Sequence, residues 1–302
     1  MNVVVIGANG QLGSDVCEAF EPKHAVLKLE HADADIADAA GITAALTRLE
    51  PDCVINTAAL HNVEACEADP VKSHAVNALG ARNLALACKG LDAMLVHIGT
   101  DYVFNGAKAA PYVETDAPLP LNVYGNTKLA GEHYALSTWE KTCVVRVGGI
   151  YGVRPCRAKG GLNFVQLMLK LGTERPVVRV VDDEIVTPTP TSAIAAQLLP
   201  LVEGGHYGLF HATCQGACSW HAFAARIFEL AGLPATLQKA APGEFPAKVP
   251  RPLYSVLENA RLKALGLDSM PDWEAGLQTY VREIGAIGSP PHSGTPASTV
   301  VP

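Results

Sequence analysis

Asn2-Val3-Val4-Val5-Ile6-Gly7-Ala8-Asn9-Gly10-Gln11-Leu12-Gly13 opens the chain with an unbroken apolar run that meets a glycine-rich turn, and residues 12–20 then follow helical spacing. An apolar run of this length reads as a strand buried on both faces, the condition of a parallel sheet. A strand, a tight turn and a helix in succession aim backbone N–H groups and a helix N-terminus at one point, where a pyrophosphate is well held. The spacing is GxxGxxG rather than GxGxxG, and a turn that merely tightens the strand–helix junction is the competing reading. Gly7, Gly10, Gln11, Leu12 and Gly13 are the candidate cofactor-binding residues of this loop.

Outward from the loop the same pattern repeats. Apolar strands are expected at residues 25–29, 53–56, 95–98 and 143–147, with Ala-rich helices at 42–49, 70–88 and 124–136 between them. Alternation of buried strands and helices predicts an α/β fold, a Rossmann-type doubly wound parallel sheet with right-handed crossovers. After Arg146 the rhythm breaks into Gly148-Gly149 and a Gly/Arg/Lys-rich loop before a helix at 163–171, the kind of insertion that covers a site. We therefore expect residues 1–148 and 176–205 to form the dinucleotide-binding domain, and 149–175 and 206–287 a smaller C-terminal α/β substrate lobe. Residues 288–302 are Ser, Thr, Pro and Gly without periodicity, and are expected to be a disordered tail.

With 302 residues, 49% hydrophobic and 18% charged, the chain has ample material for a core, and its formal charge of −7 argues against nucleic acid as a partner. Its eight cysteines lie scattered through expected strands and helices and read as small buried hydrophobes of a reducing compartment. Cys214 and Cys218 lack zinc-site spacing. No stretch is long and apolar enough to span a bilayer, so the expectation is a cytoplasmic protein with no membrane partner.

Further positions carry chemistry. Tyr124 precedes Lys128 by four residues, which puts a phenol and an ammonium on one helical face. A phenol titrates near pH 10, and a neighbouring cation favours its ionised form, so the pair reads as a proton donor with Lys128 acidifying Tyr124 and reaching the ribose of a nicotinamide. Thr100 ends the strand 95–98 on the side where open α/β sheets bind ligands, and its hydroxyl suits a substrate oxygen. Glu30, at the end of the second strand, reads either as an acceptor for adenosine ribose hydroxyls, favouring NADH over NADPH, or as a solvated acid. Asp35 and Ile36 read as an adenine rim or a surface turn. Ala58 and Ala59, after Asn56-Thr57, let backbone approach a flat ring, or simply pack.

Taken together these segments resemble the extended short-chain dehydrogenase/reductases, and within them the dTDP-4-dehydrorhamnose reductase family. The likeness is carried by Gly7 to Gly13, Asn56-Thr57-Ala58-Ala59, Thr100-Asp101-Tyr102-Val103-Phe104, Tyr124-Gly125-Asn126-Thr127-Lys128-Leu129-Ala130-Gly131-Glu132, Asn163-Phe164-Val165, and Arg251-Pro252 with Ser255. It implies cofactor contacts at Gly10, Gln11, Leu12, Glu30, Asp35, Ile36, Ala59, Leu60, His61 and Ile98, substrate contacts at Thr100 and Asp101, and proton donation by Tyr124. NADH or NADPH would be the cofactor and a nucleotide-diphosphate sugar the substrate, with a 4-keto-6-deoxysugar reduced. Asn163 and Arg251 are candidate diphosphate ligands, with a helix cap and a surface charge as their alternatives. Some members bind magnesium at a dimer contact through three acids; here Asp15 and Glu283 match but Ser192 stands third, so no metal is expected, and a homodimer is left open. Gly99 stands where the family commonly has Ser. Gly149 stands where many members carry a substrate-lining Trp, which predicts a wider sugar pocket. The rival readings are a cofactor-binding regulatory subunit and a nucleotide-sugar 4-epimerase; Tyr102 after Asp101 disfavours a dehydratase, which places a second acid there.

Overall fold

A computed structural model describes residues 1–156, 160–241 and 243–286, so the expected tail at 288–302 lies outside the described residues. Strand β1 (Asn2–Ile6) leads through the glycine turn into helix α1 (Gln11–Phe20), and β2 (Ala25–Leu29), α2 (Ala39–Leu49) and β3 (Cys53–Asn56) follow. Helices α3 (Val63–Ala68) and α4 (Pro70–His74) precede α5 (Gly80–Leu91), β4 (Met94–Thr100), α6 (Val123–Thr138) and β5 (Thr142–Val147). The remainder is β6 (Ile150–Tyr151), α7 (Phe164–Glu174), β7 (Val177–Val180), β8 (Ile185–Val186), β9 (Thr189–Pro190), α8 (Thr191–Glu203) and β10 (Gly208–His211). It closes with β11 (Cys218–Ser219), α9 (Trp220–Ala231), β12 (Thr236–Lys239), α10 (Ala260–Ala264) and α11 (Trp273–Glu283).

The central sheet runs β2-β1-β3-β4-β5-β10 and is parallel throughout. The unbroken apolar run of β1 has a simple cause, since both faces are covered. Val3 and Val5 pack with Leu12, Val16 and Phe20 of α1 and Ile194 and Leu198 of α8. Val4 and Ile6 pack on the other face with Ile42 and Leu46 of α2 and Leu84 and Cys88 of α5. All eight cysteines are buried free thiols. The chain leaves β1 toward β2 on one side and reaches β3 on the other, which makes the carboxyl ends of β1 and β3 the crevice where such sheets take ligands.

Two expectations change in detail. Residues 206–287 contain β10, which is the sixth strand of the central sheet rather than part of a separate lobe, while β7 of the 176–205 segment pairs with β12. The single helix expected over 70–88 is α4, a π-helical turn over Ala75–Leu79, and α5. The Asn77 side chain of this turn clamps the Leu60 backbone, accepting from its N–H at 2.8 Å and donating to its carbonyl at 2.9 Å. The turn lies so close to α6 that a Cβ at Gly131 would come within 2.2 Å of the Asn77 carbonyl oxygen. Among the described residues no helix is long and apolar enough to cross a membrane.

Candidate active site

The glycine turn is bare and tight for reasons its neighbours supply. Gly7 has φ +78°, and a Cβ on it would meet Thr57 Oγ1 at 2.8 Å and Ala58 N at 3.0 Å. A Cβ on Gly13 would lie 2.2 Å from the Gly7 carbonyl oxygen. Thr57 ties the two strand ends together by donating to the carbonyls of Ile6 and Gly7 at 2.8 and 3.2 Å. The N-cap of helix α1 is Gly10, which has no side chain to cap the first turn. This is a surface that fits a pyrophosphate, and the residues present fit a dinucleotide.

The other expected cofactor residues lie around this crevice in unequal states. Leu12 is buried in the core, and Gln11 reaches across to the Gly152 carbonyl at 3.0 Å. Glu30 and Asp35 are exposed beyond β2, whereas Ile36 is only 4% exposed and packs inward with Ile42 and Leu84. Ala58, Ala59 and Leu60 are half-buried after β3, and His61 is exposed. Ile98 is buried, and its carbonyl accepts from Lys128 Nζ at 2.5 Å.

Thr100, Tyr124 and Lys128 do converge. Asn122 sets the start of α6 by accepting from Gly125 N–H at 2.9 Å and donating to the Pro250 carbonyl at 2.9 Å. Tyr124 then sits in the first turn of α6 with its phenol beside Thr100 at the end of β4 and the Tyr102 ring edge-on at 5.8 Å. Burial pushes the Tyr124 phenol well above its usual range, and the neighbouring Thr100 hydroxyl only partly opposes this. The expected acidification by Lys128 is therefore not delivered by the chain alone: Lys128 is 3% exposed, and burial draws its own pKa down to about 8 with Glu132 opposing. Tyr124 is instead a fully protonated donor at neutral pH.

Asp101 lies directly behind this pair and is 4% exposed. Its carboxylate accepts from the Thr100 hydroxyl at 3.1 Å, and Thr100 Oγ in turn accepts from Tyr102 N–H at 3.2 Å. Ser255 Oγ faces the same carboxylate and lowers its pKa, although it has no partner at hydrogen-bond distance. Burial outweighs these contacts and raises Asp101 to about 6.

Two expected substrate ligands fare differently. Asn163 is spent on structure: its Oδ1 caps α7 by accepting from Gln166 N–H at 2.9 Å, and its Nδ2 donates to the Gly152 carbonyl at 2.8 Å and Tyr280 Oη at 2.9 Å. With the amide saturated and 3% exposed, the capping role displaces the diphosphate role. Arg251 donates to Glu64 at 2.7 Å and faces Tyr102 at the rim.

Gly149 also departs from expectation. It has φ +56°, and its missing Cβ would point at backbone, 2.8 Å from the Thr187 carbonyl oxygen and 3.1 Å from Pro188 Cα, rather than into open space. The wider pocket inferred from a missing ring does not follow, because residues 187–188 fill the place where the side chain would start. Gly149→Ala should lower stability by about 1–3 kcal/mol through this conformation and contact. Urea unfolding checks it, and an unchanged midpoint would show that residues 187–188 yield without strain.

The acids expected at a dimer contact are partly engaged. Asp15 accepts from Thr191 Oγ1 at 2.5 Å, and burial raises its pKa, Thr191 opposing and Glu283 adding to the rise. Among the described residues no group of three His, Cys, Asp or Glu is placed to hold a metal ion.

Sequence reasoning gave no role to a buried ion pair beneath the site. Glu132, one turn after Lys128, accepts from Arg146 Nε at 3.0 Å and Nη2 at 2.8 Å, with the two side chains 1% and 3% exposed. Gly99 explains itself here, since a Cβ would fall 2.4 Å from Glu132 Oε1. The available signal was the Lys128–Glu132 spacing of four on one helix.

Comparison with known proteins agrees with this geometry. The family model described as RmlD substrate binding domain matches residues 1–285. The spore coat polysaccharide biosynthesis protein SpsK of Bacillus subtilis is 35% identical over 93% of this chain and 97% of its own. A dTDP-4-dehydrorhamnose reductase of Mycolicibacterium smegmatis is 36% identical over 97% of this chain and 89% of its own. A solved dTDP-4-dehydrorhamnose reductase of Bacillus anthracis, in complex with NADP, superposes with a TM-score of 0.89 at 34% identity over 93% of this chain and 99% of its own. The chain belongs to the RmlD substrate-binding-domain family, that of the dTDP-4-dehydrorhamnose reductases.

Proposed function

We propose that the protein is an NAD(P)H-dependent reductase of a nucleotide-linked 4-keto-6-deoxysugar, of the dTDP-4-dehydrorhamnose reductase type. The observation that carries this is the Tyr124 phenol, beside Thr100 at the carboxyl end of β4 and one helical turn from buried Lys128, next to a crevice that fits a dinucleotide. The coenzyme supplies a hydride to the keto carbon. Thr100 and Tyr124 hold the carbonyl oxygen, and Tyr124 gives it the proton as charge develops there. Lys128, charged below about pH 8, is held by the Ile98 carbonyl, and its remaining protons would serve a ribose hydroxyl of the bound coenzyme.

In this reading Gly7, Gly10, Gln11, Leu12 and Gly13 take the pyrophosphate, and Ala58, Ala59, Leu60 and His61 line the coenzyme. Arg251, anchored by Glu64, presents a guanidinium to the nucleotide diphosphate. The substrate lobe is the part of the chain beyond β5 without β10, which serves the coenzyme sheet. We place the protein in the cytoplasm, where its coenzyme and nucleotide sugars are made available.

The test follows NADH and NADPH oxidation with a panel of nucleotide 4-ketosugars, dTDP-linked ones included. Turnover of a dTDP-4-keto-6-deoxysugar with net coenzyme oxidation is expected. Tightly retained NAD with no net oxidation would point to the 4-epimerase, and binding without turnover to a regulatory subunit. Exposed Glu30 stands where a 2′-phosphate would approach, so a modest NADH preference is expected, and Glu30→Ala should shift it toward NADPH. A solved relative is in complex with NADP, and a strong wild-type NADPH preference here would remove Glu30 from this role.

A further inference from the structure

The hydrogen bonds around Thr100 have a consequence for the reaction. A threonine hydroxyl has one proton and two lone pairs. Here the proton goes to Asp101 Oδ1 at 3.1 Å, while Tyr102 N–H at 3.2 Å takes the acceptor side. With Asp101 as a carboxylate, Thr100 has no proton left for a substrate oxygen. The Thr100 hydroxyl then faces inward.

We propose that Asp101 is a positioning residue that sets the direction of this network through Thr100. As the neutral acid, Asp101 donates to Thr100 Oγ, and the Thr100 proton turns outward to the keto oxygen. As the carboxylate, Asp101 draws the Thr100 proton back. No bond to carbon changes in this step; one proton on Asp101 decides the orientation of the Thr100 hydroxyl. The inference rests on the reductase reading for its substrate, but its hydrogen-bond geometry belongs to the chain alone.

The surroundings are built for a carboxyl that carries a proton part of the time. Gly148 leaves the space over it clear, since a Cβ there would fall 2.8 Å from Asp101 Cγ and Oδ2. Ser255 Oγ faces it from the 250–257 segment without a partner of its own, able to donate when Asp101 is the carboxylate. The titratable groups against it are the Tyr102 and Tyr124 phenols, both raised by burial and hence neutral. Beyond Tyr102 stand Arg251 and Glu184, of opposite charge. Burial raises Asp101 to about 6 against these contacts, and a keto sugar covering the site would desolvate it further.

Two measurements decide it. The first needs no turnover: carbon NMR titration of the Asp101 carboxyl, assigned by the loss of its signal in Asp101→Asn. A midpoint near 6 is expected, rising in Thr100→Val because the Thr100 hydrogen bond favours the carboxylate. A midpoint in the ordinary aspartate range, or one indifferent to Thr100→Val, overturns the proposal. The second is the pH dependence of kcat. Wild type should lose kcat as pH rises through the Asp101 midpoint, before the Lys128 limb near 8. Asp101→Asn, whose amide donates to Thr100 at every pH, should lack the first limb; Thr100→Val should lack the same limb while losing about 10² in kcat. A first limb that survives in either variant overturns the proposal, and Thr100→Val decides alone if Asp101→Asn fails to fold. A wild type that reduces no sugar would sink the reductase reading and leave the titration to decide the network.

Discussion

Tyr124→Phe should lower kcat by at least about 10² while coenzyme affinity changes little. The substitution removes one oxygen and keeps the ring, so the edge-on contact with Tyr102 and the packing of the first turn of α6 persist. What is lost is the proton. Because burial raises the phenol, Tyr124 holds that proton across the neutral range, and the step it serves is donation to an oxygen gaining negative charge. Loss of donation should appear equally in kcat and kcat/KM, the pattern of an interaction made only in the transition state. Near-normal turnover would assign the proton to another group, and Thr100, next to Tyr124 and backed by Asp101, would be the first to examine. Fluorescence titration with NADPH checks that the coenzyme site is intact.

The fold was legible because its decisive signal is local: a strand buried on both faces must be apolar throughout, and Val3 to Ile6 are apolar because each alternate residue meets a different layer of helices. Tyr124, Lys128 and Thr100 were legible for a similar reason, since helical spacing and a strand end fix where their side chains go. What the sequence did not disclose depends on neighbours far along the chain. Asn163 carries a polar amide whatever it does, and only its partners Gly152 and Tyr280 reveal that the amide is saturated. Gly149 read as an absent ring, whereas the structure makes it a backbone requirement imposed by residues 187–188. Strand β10 is short, and its membership of the central sheet is decided by pairing with β5, residues 143–146. The Lys128 effect on Tyr124 failed as a chain-only statement because proximity on a helix face does not say which group a buried ammonium will serve, and here it serves the Ile98 carbonyl.

Glu132→Ala should cost about 3–5 kcal/mol of stability, the range for leaving one member of a buried ion pair without its partner. Arg146 is 3% exposed, donates to both Glu132 oxygens and already has one nitrogen, Nη1, without a partner, so the loss would strand a guanidinium in the core. Its stacking over Phe104, 5.1 Å from the ring centroid, cannot replace the carboxylate. Chemical denaturation measures the loss, and a cost below about 1 kcal/mol would mean that water or a shift of Arg146 toward the surface satisfies the charge. The same carboxylate acts on Lys128, whose pKa near 8 already reflects burial with Glu132 opposing. Without Glu132 that pKa falls further, so the alkaline limb of kcat should move toward neutrality. Stability and charge can be separated by replacing the pair together, Glu132→Leu with Arg146→Met. An apolar pair of similar volume should recover most of the stability, whereas Lys128, still without its carboxylate, should keep the displaced limb. If the double variant restores the wild-type pH profile as well, Glu132 supports the fold alone and Lys128 is held in its charged state by something else.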